Sequence, residues 1–169
     1  MKKSITKLYC YLLIISATSF GCKKSTESQP TSVFATSQWT FNGSTFKVTN
    51  GSYDAASNSL IASDDPGAVG GGNYVRVLFG SVVKPDKDIT LTVVAISAQA
   101  NPSNCEVQVG NIYDPYYING HLSIGKTGDN VVVTVSPIGK LTAAFSNISV
   151  TAGATGTDTL TVSGTIIEN

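Results

Sequence analysis

Two short acidic runs, Asp64-Asp65-Pro66-Gly67 and Asp86-Lys87-Asp88, hold the most closely spaced carboxylates in the chain. Like charges this near repel, and a hard cation relieves the repulsion by taking carboxylate oxygens at ~2.3–2.6 Å. Asp64, Asp65, Asp86 and Asp88 are therefore weak candidates for a metal site. The rival reading is ordinary: neither run has EF-hand spacing, and Asp is a common turn former and strand gatekeeper. Paired carboxylates could also serve a small hydrolase of the glycosidase type, provided a cleft brings two of them to roughly 5–9 Å.

The most distinctive cluster is Asn111 to Gly120, which places Tyr113, Tyr116 and Tyr117 within five residues. A tyrosine offers a flat apolar face with a polar tip, suited to stacking a sugar ring or anchoring a partner loop. With Trp39, the one tryptophan, these tyrosines are the candidate ligand-binding residues. Their alternative is to cover the edge of a core. His121, the single histidine, excludes a multi-histidine metal site, and no nucleophile neighbours it in sequence. Gly67 to Asn73 is rich in glycine but lacks dinucleotide spacing and precedes a strand pattern, so it reads as a loop. There is no GxSxG elbow, Walker loop or HExxH pattern, and no catalytic residue or cofactor is expected.

Composition narrows the rest. In 169 residues, 13% are charged and 41% hydrophobic, with 20 Ser, 19 Thr, 17 Val and 16 Gly. This balance disfavours coiled coils, nucleic-acid binders and highly charged disordered chains. It favours a β-rich domain, because Thr and Val fit pleated sheets and Gly and Asn serve turns.

The N-terminus reads as a processing signal: Lys2, Lys3 and Lys7 without an acid, then an apolar run from Leu8 to Ala17. As a helix that run reaches roughly 15 Å, about half of a ~30 Å hydrocarbon core, too short for a permanent span. Ser19-Phe20-Gly21-Cys22, followed by Lys23-Lys24, resembles the lipobox of small Bacteroidetes-type lipoproteins. The resemblance implies cleavage before Cys22, a diacylglyceryl thioether on its sulfur, and acylation of the new amino group. It also implies the outer membrane, since Lys23 stands where some inner-membrane retention signals carry Asp. No acidic run follows Cys22, so the periplasmic leaflet is favoured over surface export. Ordinary cleavage after Ala17-Thr18-Ser19 is the rival, and would leave Cys22 and Cys105 as a potential disulfide pair. With Cys22 acylated, Cys105 stands alone and reads as a small buried hydrophobe more than a reactive thiol. Removing Met1 to Gly21 takes three lysines and no acid, leaving eight basic against eleven acidic side chains.

These residues need elements to position them. Residues 22–36 are polar and Pro-containing, with too few large apolar groups for a core, and read as a tether. From residue 37 to 169 the chain alternates apolar and polar residues in short runs, with no helical stripe. Asn42-Gly43 and Asn119-Gly120 each sit between such runs and predict two-residue hairpin turns. In the run from Leu141 to Val150 the apolar residues switch from odd to even positions, which predicts a bulge near Ser146-Asn147. The expected fold is all-β, an antiparallel β-sandwich of about nine strands, with a barrel as the alternative. The layout of Trp39 to Val48, an irregular middle, and the ending Gly139 to Ser146 with Ser163 to Ile167 is similar to small Bacteroidetes lipoprotein domains of unknown function. The expected role is a lipid-anchored envelope protein that binds a glycan or an envelope protein, or that acts as a structural spacer; the alternative is the small envelope hydrolase. Its partners would be the membrane, through the N-terminal lipid, and no nucleic acid.

Overall fold

Alternation of apolar and polar side chains on β-branched residues commits most of the domain to half-buried strands. A computed structural model describes residues 35–64, 72–81, 83–95, 101–113, 116–152 and 156–169, excluding the side chains of 112–119. Among them are eleven strands: β1 (Ser37–Phe41), β2 (Ser44–Val48), β3 (Ser52–Asp54), β4 (Ser59–Ser63), β5 (Gly72–Phe79), β6 (Ile89–Val93), β7 (Asn104–Tyr113), β8 (Tyr116–Ser123), β9 (Asn130–Val135), β10 (Leu141–Ala152) and β11 (Thr159–Ile167). The described residues contain no helix, and the chain is all-β as its sequence predicts.

All eleven strands belong to one mixed, mostly antiparallel sheet, two strands more than the nine expected. Its order is β2-β1-β11-β10-β9-β6-β7-β5-β4-β3, and β8 joins β10 to β7 off this path. The β6–β7 contact is parallel. Along β10, Leu141 to Phe145 pair with β9, and Val150 to Ala152 pair with β8. Along β7, Asn104 and Cys105 pair with β6, and the stretch from Gln108 to Tyr113 pairs with β8. Hydrogen bonds thus run in a closed circuit through β10, β9, β6, β7 and β8, leaving β2 and β3 as the edge strands.

One core fills the inner faces. Trp39 from β1, Leu60 from β4, Val75 and Val77 from β5, Val107 from β7, Val133 from β9, Leu141 and Ile148 from β10 and Ile166 from β11 are all fully buried. Each such side chain contributes ~1.5–3 kcal/mol by leaving water.

The two Asn-Gly dipeptides have different fates. Asn42 and Gly43 both have positive φ, 47° and 77°, between the paired residues Phe41 and Ser44, so the first hairpin turn forms as predicted. The second does not form. β8 runs unbroken through Asn119-Gly120, and the chain reverses instead between Tyr113 and Tyr116, which pair directly. The register shift on either side of Gly110 places both Asn119 and Gly120 opposite that one residue, so the dipeptide is absorbed as a bulge. The predicted bulge at Ser146-Asn147 is present: pairing with β11 shifts between Phe145 and Ile148, and Asn147 has a φ of 53°. The Ser163 hydroxyl accepts the Asn147 backbone N–H at 2.8 Å.

Strand directions sort the connections to two ends. At the end where the described chain begins, the tether end of the sequence reading, the Asn169 side chain accepts the Ala35 N–H at 3.1 Å and donates to the carbonyls of Ala35 and Thr49 at 2.9 and 2.8 Å. Glu168 meets Lys84 at 2.8 Å and accepts the Leu141 N–H at 2.8 Å. Asp88 accepts the Val135 N–H at 2.8 Å, which ties the β5–β6 connection to the end of β9. Gly51 lies against the β11 terminus so closely that a Cβ would stand 1.9 Å from the Ile167 carbonyl oxygen. The far end carries the Asn42-Gly43 turn, Asp64, the start of β5 and the β7–β8 tip.

Candidate binding cleft

The far end is built from the aromatic face of the first hairpin. Trp39 and Phe46 are directly opposite in the β1–β2 register and therefore share a face; their rings stack at 5.1 Å with a 21° interplanar angle. Phe41, two residues along β1, shares that face. It meets the His121 imidazole edge-on, at 4.9 Å and 62°. His121 is in register with Val109, so this contact lays the hairpin against β7 and β8. Between them lies a cleft of about 170 Å³. Half-buried Phe41 and Phe46 floor it, Val109 and Gly110 form a wall, and Asn42, Ser44, Asn73 and Asn111 form the rim.

The rim is oriented by hydrogen bonds. Asn111 Nδ2 donates to Asn73 Oδ1 at 2.9 Å, and Asn73 Nδ2 donates to Asp64 Oδ2 at 2.8 Å. The other Asp64 oxygen accepts the Asn73 backbone N–H, while the Asp64 N–H donates to the Asn73 carbonyl at 3.0 Å. This relay fixes which way both amides point and leaves Asn111 Oδ1 as an acceptor at the rim. The Asn42 and Ser44 side chains have no hydrogen-bond partner among the described residues. Flat apolar rings below and oriented amides and a hydroxyl above can stack one face of a small ring and bond its polar edge.

The candidate residues from the sequence fall unevenly on this site. Trp39 lines the cleft beside Phe41 and Phe46, but its ring is fully buried and stacked on Phe46, so it lies at the base of the floor. Its Nε1–H has no acceptor among the described residues. Tyr113, Tyr116 and Tyr117 occupy the β7–β8 tip next to Asn111, with Tyr113 opposite Tyr116 and Tyr117 opposite Ile112. Their side chains lie outside the described residues, as do Cys22 and Asp65 and most of the glycine-rich run. Asp64 spends its carboxylate on Asn73, and Asp86 and Asp88 stand at the opposite end of the domain. Among the described residues no three His, Cys, Asp or Glu side chains converge as metal ligands.

Cys105 is a core residue. It is fully buried, and burial, with the neighbouring Glu106 charge, pushes its thiol up to about 12. That removes the thiolate a nucleophile needs. Sequence reasoning did not reach Phe41, Phe46, Asn73 and Asn111 as site residues. The available signal was the Asn-Gly turn flanked by aromatics at alternate positions, which forces two rings onto one face. Comparison of the chain with protein-family models, with curated proteins and with solved structures finds no match.

Proposed function

We propose that the mature chain is a lipid-anchored protein of the cell envelope whose work is binding, and that the far-end cleft takes a single carbohydrate ring. The observation that carries this reading is the Phe41–Phe46 floor under an amide rim oriented by Asp64. A cavity of ~150 Å³ holds one six-membered ring, so the cleft suits a terminal or branch sugar more than an extended chain. The tyrosines of the β7–β8 tip extend the same end and supply the residue types that stack on sugars. The carboxylates favour binding over hydrolysis, because Asp64 holds Asn73 and Asp88 holds the β9 backbone.

Anchoring rests on Gly21-Cys22 after the apolar run. Several acyl chains on one terminus hold stably, at ~0.8 kcal/mol per buried methylene, where one chain holds marginally. Two measurements test the whole reading. A glycan array probed with the native chain gives saturable binding, and Phe46→Ala or Asn111→Ala weakens it by roughly tenfold, equivalent to ~1.4 kcal/mol. Mass spectrometry of the envelope form finds acyl mass on Cys22. A blank array overturns the cleft assignment, and an unmodified Cys22 overturns the anchor.

A further inference from the structure

We infer that the tether end of the domain is a membrane-contacting face, seated on the phospholipid surface by Val83 and Ile138. The inference rests on the proposed lipid anchor. Its first support is where the described chain begins: Ala35 is bonded on both sides of its peptide to Asn169, so the tether leaves the domain at this end. The 13 residues from Cys22 to Phe34 can span at most ~45 Å in any conformation, so an anchor on Cys22 keeps this end near the headgroups.

The second support is the surface itself. Val83 is 66% exposed and Ile138 79% exposed, the two most exposed large apolar side chains among the described residues. They stand on separate connections, the β5–β6 segment and the β9–β10 turn, which the Asp88 bond to Val135 and the Glu168 bonds to Lys84 and Leu141 tie together. Each apolar tip has an exposed lysine close behind it in sequence, Lys87 and Lys140, whose stems can follow the apolar surface while the ammonium stays at the headgroups.

The charges here nearly cancel. Lys84 is held by Glu168 and lies over the Tyr53 ring at 4.9 Å, and the charges of Lys87 and Lys140 are matched in number by those of Asp86 and Asp88. The contact is therefore apolar in origin and little affected by salt. Two side chains are too few to bind a membrane alone, but an anchored domain meets the surface at high effective concentration, where a weak contact sets orientation. The far-end cleft then faces away from the bilayer.

The test uses the lipidated full-length chain in phosphatidylethanolamine and phosphatidylglycerol vesicles containing nitroxide lipid. A polarity-sensitive dye is placed on Val83→Cys, Ile138→Cys and, at the far end, Thr159→Cys; the buried Cys105 stays unlabelled. Labels at 83 and 138 shift to the blue and lose intensity to the lipid quencher, and the label at 159 does neither. If all three remain equally exposed to water while mass spectrometry finds acylated Cys22, the contact is overturned and the anchor stands. An unacylated Cys22 overturns both. A blue shift at 138 that grows with protein concentration without vesicles overturns the membrane in favour of a second copy of the chain.

Discussion

The two ends of the domain are closed by different means. At the tether end backbone and side chain interlock: Ala35, Thr49 and Gly51 bond to Asn169, and Glu168 joins Lys84 to Leu141. At the far end Phe41 meets the His121 ring edge-on, and a cleft remains between Phe46 and Asn111. Backbone bonds to neighbours distant in sequence leave little freedom, whereas rings in contact can part and close again. An end built the first way suits attachment, and one built the second way suits a ligand.

Three substitutions probe this contrast. Trp39→Ala removes the largest buried side chain and the support under Phe46, and should cost ~3–5 kcal/mol in urea denaturation. Should it cost less than the tether-end change, the far end would not depend on its aromatic stack. Gly51→Ala drives a methyl into the Ile167 carbonyl and should cost roughly 1–3 kcal/mol. Limited proteolysis near Ala35 should accelerate while the proposed glycan binding at the cleft is unchanged, and loss of that binding would show that the ends are coupled.

The smallest effect belongs to Glu106, on β7, fully buried with Oε2 unpartnered. Burial raises its pKa, against the lowering effects of the Gln108 hydrogen bond and the Arg76 charge. The folded chain therefore keeps a proton that the unfolded chain releases, and stability falls as pH rises from the usual carboxyl range through the raised folded value. Glu106→Gln should abolish that fall, adding about 1 kcal/mol at neutral pH and nothing in acid, as read by urea melts at both. Equal gains at both pH values would assign the effect to packing.

Much of the fold was legible because local rules and tertiary structure agree. Asn42-Gly43 turns because both φ values must be positive, and the odd-to-even switch after Phe145 marks a bulge because side-chain parity has no other way to recover. Asn119-Gly120 carries the same local signal, but pairing of β8 with β7 overrides it, and Tyr113 pairs with Tyr116 instead. The site was harder to read. Phe41 and Phe46 can be placed on one face from their own strand, but their meeting with Asn73 and Asn111 depends on pairings across 30 residues and more. Residue type alone made Trp39 a candidate, and nothing local shows that its ring lies at the base of the cleft, stacked on Phe46.

The bond between Ala35 and Asn169 also has a mechanical consequence. If the proposed anchor and the proposed cleft ligand both hold, a pull between them would run along the strands. β1, which receives that load first, is hydrogen-bonded to β2 on one side and β11 on the other. Both ladders would be sheared together instead of unzipped one bond at a time, so the domain would resist tension along its own axis better than across it.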